Sequence, residues 1–467
     1  MRIPILTGIY GATTPDYRTS LPRNMQPIPL RNGLADGYLR PGDGLVAASA
    51  APPGVIRGAI NWNGRGFAVF GTKLCEIRPD MNIAVIGDVG AGKTCLFDYS
   101  FDRLAVVSGA RLYLWDGLTL VQVTDPDLGP ARAMVWIDGY FMTTDGESIV
   151  VTELTDPTAV DPLKYGSAEA DPDPVTALVR VRGEVYAMNR FTSEVFSNVG
   201  GTGFPFVSVP GAVLQKGCVG HAACCLFDDA VAFLGGGRGE SISVHIGVNG
   251  ATITIADEEV SRIIGSYTEA QLADAVLEAR VVDGQSMLYV HLPDRTLVHS
   301  ATASKALKRL VWWSYDSGVL THSAYRARHF LRVHDKWLCG DPTAAVFGET
   351  SQTVSTHWGS RIGWDFGTTI LYADGAGAII HELELLALTG RVAFGADPRI
   401  WTSYSPDGLT WSQERDLRAG MFGETAKRLR WIRQGSMRHY RMQRFRGTSD
   451  AHIAVSGLEA TVERLAA

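Results

Sequence analysis

The chain has 467 residues, 46% of them hydrophobic and 20% charged, with a net charge of −6. That composition fits one large globular domain or roughly two or three smaller ones, and no apolar run approaches the roughly 18 residues of a membrane helix, so no membrane insertion is expected. The acidic balance excludes a dedicated DNA-binding protein but not contact with DNA, because a protein that lets a duplex slide past should neutralise few phosphates.

The N-terminal run Met1 to Gly8 carries one charge and few apolar residues, which is no signal peptide. Six cysteines, at 75, 95, 218, 224, 225 and 339, are too sparse for a disulfide framework and read as small buried hydrophobes. Residues 1–45 are rich in Pro, Gly and Asn without strand periodicity, the pattern of an extended arm that a partner surface must order.

From residue 46 to 375, β-branched and aromatic residues cluster in short runs between glycines, as in many short strands joined by tight turns. Asp-Gly pairs recur at Asp116-Gly117, Asp138-Gly139, Asp145-Gly146, Asp283-Gly284 and Asp407-Gly408, each suited to a type I′ hairpin. A weak repeat accompanies them: the apolar anchors Leu74, Leu112, Ile149 and Val185 are 38, 37 and 36 residues apart. Val244, Leu288 and Leu338 continue the series at wider spacing. Repeats of this length, each about four short strands, predict an all-β fold built on a β-propeller of about seven blades. A blade buries its apolar faces only against neighbours, so the ring must close.

One helix interrupts the β pattern: Thr268 to Gln271 form a capping box, with helix formers from Ala270 to Leu277. Residues 376–467 begin a new β unit, a small C-terminal β-sandwich-like domain.

Four motifs could carry chemistry. Gly87-Asp88-Val89-Gly90-Ala91-Gly92-Lys93-Thr94 fits the Walker A pattern, whose backbone N–H groups cradle phosphates. Cys95-Leu96-Phe97-Asp98 follows where a helix should open, so the segment reads as an inter-blade loop rather than a P-loop NTPase. Cys218, His221, Cys224 and Cys225 are zinc-type ligands at cramped spacing, within an apolar strand. Ser405-Pro406-Asp407-Gly408-Leu409-Thr410-Trp411 is similar to the Asp-box hairpin of sialidase-type propellers, a structural element that does not imply a glycosidase. Lys427, Arg428, Arg430, Arg433, Arg438, Arg441, Arg444 and Arg446 form a basic stretch with Trp431, Tyr440 and Phe445 interleaved, a candidate surface for DNA or for an acidic partner. No catalytic residue, metal or cofactor is assigned.

The middle of the chain carries a resemblance. Trp136 to Phe141, Asp161 to Asp173, Glu194 to Gly201, Phe204 to Phe206, Gln215 to Gly220, Val231 to Gly236, Ile263 to Thr268 and Val290 to Val298 follow an order that resembles the packaged-DNA stabilisation (tail hub) proteins of short-tailed podoviruses of the Salmonella-phage type. Asn24 and Leu39 to Leu45 fit that family's opening. The resemblance implies a virion protein, and the lack of a signal peptide implies assembly in the host cytoplasm. It implies a sixfold ring below the portal-ring adaptor that closes the DNA channel after packaging, receives the tail needle and contacts the tailspikes. The Walker-like loop is not expected of the family. A tail nozzle of the longer-channel podovirus type is the alternative of similar shape.

Overall fold

A computed structural model describes residues 2–6, 9–10, 19–30, 37–372 and 377–465. Residues 11–18 and 31–36 of the expected arm lie outside the described residues. Two bodies share the chain, a propeller and a sandwich.

The propeller has seven blades among the described residues, each an antiparallel sheet. Their innermost strands are Ile56–Trp62, Leu96–Tyr99, Ala133–Ile137, Val175–Val181, Cys224–Phe227, Val276–Val282 and Arg328–Val333. Each packs against the next, and the last packs against the first, so the ring closes. The outermost strand of blade 7 comes from the other end of the chain. Gly44–Ala47 pairs antiparallel with Phe347–Ser351, matching Ala47 with Gly348 and Gly44 with Ser351. The segment expected to end an arm is thus the strand that locks the ring.

The anchors are not equivalent. Leu74, Leu112, Ile149 and Val244 lie on third strands counted from the axis, whereas Val185, Leu288 and Leu338 lie on second strands. Second and third strands are both buried on both faces, so their apolar patterns are interchangeable in sequence.

The capping box at Thr268 and Gln271 is present, but its helix is only Glu269–Ala273. It stops early because Val276–Val282 is needed as the innermost strand of blade 6. Helices at Glu258–Ile264, capped by Asp257, and Ala301–Leu307, capped by Ser300, were not expected. No described helix is long and apolar enough to cross a membrane.

The sandwich faces two sheets across one core. One sheet runs in the order Met25–Pro29, Gly37–Pro41, Ala454–Arg464, Ala378–Leu388, Leu429–Ile432, with Arg2–Ile3 added on Ala454–Arg464. The other runs Gly363–Gly367, Tyr440–Thr448, Arg399–Ser405, Arg415–Arg418. Ile3, Ile5, Met25 and Leu39 from the N-terminus join Phe366, Leu383, Trp431 and Phe445 in the core between them. The strand pairing therefore does not follow boundaries at 45 and 375. The N-terminal segment supplies sandwich strands, and the sandwich takes in Gly363–Gly367.

Candidate functional site

The Walker-like segment leaves the outermost strand of blade 1, Ile83–Asp88, and enters the innermost strand of blade 2 with no helix between. Its backbone is turned the wrong way for an anion. Arg57 donates Nε to the Lys93 carbonyl at 2.8 Å and Nη1 to the Gly71 and Gly90 carbonyls at 2.8 Å. The loop is thus a cradle of carbonyls around a buried guanidinium, whereas a phosphate loop must present N–H groups. Asp88 accepts from Lys73, Gly90 N–H and Thr72, which hold its carboxyl down to about 2. Lys93 is free of the loop and meets Asp274 at 2.6 Å.

The Cys/His segment lies in blade 5. Gly217–Cys218 and Cys224–Phe227 both pair with Ala230–Gly236, and residues 219–223 form an excursion between them. The Cys218 thiol donates to the Gly220 carbonyl at 3.2 Å. Burial drives the Cys225 thiol far up and the His221 imidazole down, so both stay neutral. No group of three metal-type donors exists among the described residues. His221 turns toward Lys93 and Asp274 at the mouth of the propeller.

The Asp407 turn is a side-chain-capped hairpin, not type I′. Asp407 Oδ1 accepts from Leu409 N–H at 2.9 Å and Thr410 N–H at 2.7 Å, and Ser405 Oγ accepts from Gly408 N–H at 2.7 Å. The Thr410 and Leu409 N–H groups, with the Ser405 hydroxyl donating to Oδ1 at 2.9 Å, hold the Asp407 carboxyl down to about 2. Asp116 and Asp145 cap their own turns the same way. Only Asp138-Gly139 and Asp283-Gly284 have positive φ at both residues, as type I′ requires.

The basic stretch is not one surface. Arg428 pairs with Glu384, and Arg430 with Glu382, on the adjacent strand. Arg444 meets Asp365 at 2.9 Å, Arg446 meets Glu414, and Lys427 meets Glu424 at 3.5 Å. Arg441 is 1% exposed and cannot touch a partner. It stacks on Tyr404 at 3.8 Å and donates to Gln443 and the Gln434 carbonyl. Alternation along Tyr440–Thr448 puts it on the same face as buried Gln443 and Phe445, opposite the face of Arg444 and Arg446. Arg433 and Arg438 are exposed and have no ion-pair partner among the described residues.

A seam that residue patterns did not reveal joins propeller and sandwich. Arg23 grips Asp316, at the end of blade 6, through Nε at 2.6 Å and Nη2 at 2.7 Å. Asn24 donates Nδ2 to the Asp316 carbonyl at 3.0 Å and the Gly363 carbonyl at 2.6 Å, and accepts Asp316 N–H at 3.0 Å. Arg23 also bridges backbone to Ser314 of the propeller and Asp365 of the sandwich. Its partners lie more than 290 residues away, so no local signal announces it.

Comparison with known proteins agrees with this architecture. Residues 1–355 match the family described as bacteriophage P22 Gp10, beta-propeller, and residues 363–463 match bacteriophage P22 Gp10, beta-sandwich. The tail hub protein gp10 of Salmonella phage P22 is 28% identical over 481 aligned positions, covering 99% of each chain. Among solved structures, the N-terminal domain of Nup159 aligns at 9% identity over 72% of this chain and 99% of that one, with a TM-score of 0.41. The Neurospora crassa Pan2 WD40 domain aligns at 10% identity over 63% and 89%, also with a TM-score of 0.41. A seven-bladed propeller locked by an N-terminal strand and seamed to a C-terminal sandwich, matched by both family descriptions in order, places this chain in the P22 Gp10 family of phage tail hub proteins.

Proposed function

We propose that the chain acts as a non-enzymatic hub that forms a sixfold ring under the portal-ring adaptor, closes the DNA channel after packaging, and anchors the tail needle and tailspikes. The observation that carries this reading is family membership along the whole chain. The physical design supports it. A ring needs heterologous contacts between rigid subunits. A propeller closed by strand exchange and tied to its sandwich by a buried ion pair is such a body. The motifs that suggest chemistry support the same reading: the Walker-like carbonyls surround Arg57, and burial pushes the Cys225 thiol up. Within the basic stretch, Arg433 and Arg438 are the cations left for a partner or for passing DNA.

The test is DNA retention. Packaged heads assembled without this chain should leak DNA, and adding the purified chain to portal–adaptor complexes should seal them. Heads that keep their DNA without it would overturn the closing role. An ATPase activity lost in Lys93→Ala would overturn the non-enzymatic reading.

A further inference from the structure

We propose that the mouth of the propeller, on the face where the links enter the innermost strands, binds an extended protein segment carrying a carboxylate beside an apolar side chain. Two loops that the hub role does not use arrive there together. The Walker-like loop delivers Lys93, and the Cys/His excursion delivers His221. They open on a cavity of about 460 Å³ at the axis, floored by Leu96, Val107, Val175 and Val219.

The rim decides the charge of the ligand. Lys93 and Asp274 form an ion pair at 2.6 Å with side chains 77% and 48% exposed, a pair that holds little energy and exchanges readily. Arg132 is exposed and has no ion-pair partner among the described residues, although its backbone N–H is fixed by the Thr144 carbonyl at 2.8 Å. His221 is kept neutral by burial and offers one N–H. An entering carboxylate takes Arg132 as a bidentate partner and competes with Asp274 for Lys93.

The cavity selects against the other anions of a virion. A volume of about 460 Å³ holds a few side chains, whereas the major groove of duplex DNA alone is about 12 Å wide. A free phosphate dianion leaves the apolar floor unused and meets the Asp274 carboxylate, which repels a double charge more than a single one. A peptide uses both parts of the site. This proposal stands independently of the chain's position in the tail.

The test titrates the full chain, at low salt, with a fluorescein-labelled hexapeptide Gly-Ser-Leu-Glu-Ser-Gly and its Leu-Gln counterpart. The Leu-Glu peptide should bind and the Leu-Gln peptide should not. Arg132→Ala, a change at an exposed side chain, should weaken binding about tenfold, and Asp274→Asn should strengthen it about threefold. Circular dichroism confirms that both variants stay folded. Millimolar inorganic phosphate should not displace the peptide. Absence of binding up to millimolar peptide, equal binding of the glutamine peptide, indifference to Arg132→Ala, or displacement by phosphate would each overturn the proposal.

Discussion

Arg23 and Asp316 show how much one buried pair can hold. Their side chains are 6% and 0% exposed, and the guanidinium meets both carboxylate oxygens. His322 Nδ1 adds a third contact to Asp316 at 2.7 Å. Burying both charges is costly, so the pair is weak evidence of net stability, but removing one partner strands the other. Arg23→Ala should therefore lower unfolding stability by about 3 kcal/mol, read from urea denaturation, whereas Arg23→Met combined with Asp316→Leu should recover most of it. A single variant as stable as the unaltered chain would show that water already reaches Asp316. Arg441 makes the complementary point about legibility. It sits three residues from exposed Arg438 in the same basic run, yet burial pulls its guanidinium down to about 10 and no carboxylate among the described residues answers it. Composition places both in one patch. Only the register of Tyr440–Thr448 separates them, and register is a property of the paired strand, not of the run.

The strand that closes the ring was the hardest element to read. Gly44–Ala47 follows a Pro- and Gly-rich segment and is four residues long, with nothing in its own pattern to assign it to a blade more than 300 residues away. The seven-blade count survived because anchors on second and third strands are equally apolar, even though they mark different places. The Asp-Gly turns were legible as hairpins but not as turn types, since an aspartate that caps its own turn and one that adopts positive φ look alike in sequence. Gly348 exposes the closure to test. A Cβ there would meet the Val46 carbonyl oxygen at 2.0 Å and Ala47 Cα at 2.9 Å, both backbone atoms of the closing strand. Gly348→Ala should lower the melting temperature by several degrees, on the order of 2 kcal/mol, and speed proteolysis around residues 44–55. Gly183→Ala, in the turn after Val175–Val181, meets nothing within 4 Å and needs no positive φ, so it should stay within about 0.5 kcal/mol of the unaltered chain. Equal effects at the two positions would mean that closure carries no special strain.

Across the whole molecule, the closed ring buries histidines that must stay neutral, and this sets its response to acid. Desolvation lowers His245 and His299 to about 4, His329 and His357 to about 3, and His291 well below its ordinary value. A histidine lowered in the folded state contributes stability that is fully present above the unfolded value near 6.5. Between there and its folded value the unfolded chain takes up protons that the folded chain refuses, so stability falls as pH falls. The loss is on the order of 3 kcal/mol apiece for His245 and His299 by about pH 4. Glu278 opposes this. Burial raises its carboxyl, even with the His329 and Phe330 N–H groups donating to it, so its protonation on acidification relieves a cost. Burial also raises the Asp98 and Asp257 carboxyls and also lowers the His221 and His452 imidazoles, so three carboxyls stand against seven imidazoles, and the imidazoles prevail. The urea midpoint should hold steady from pH 8 to 7 and then drop continuously to pH 4. A midpoint unchanged across that range would mean these rings titrate in the folded state, which requires their surroundings to open to water.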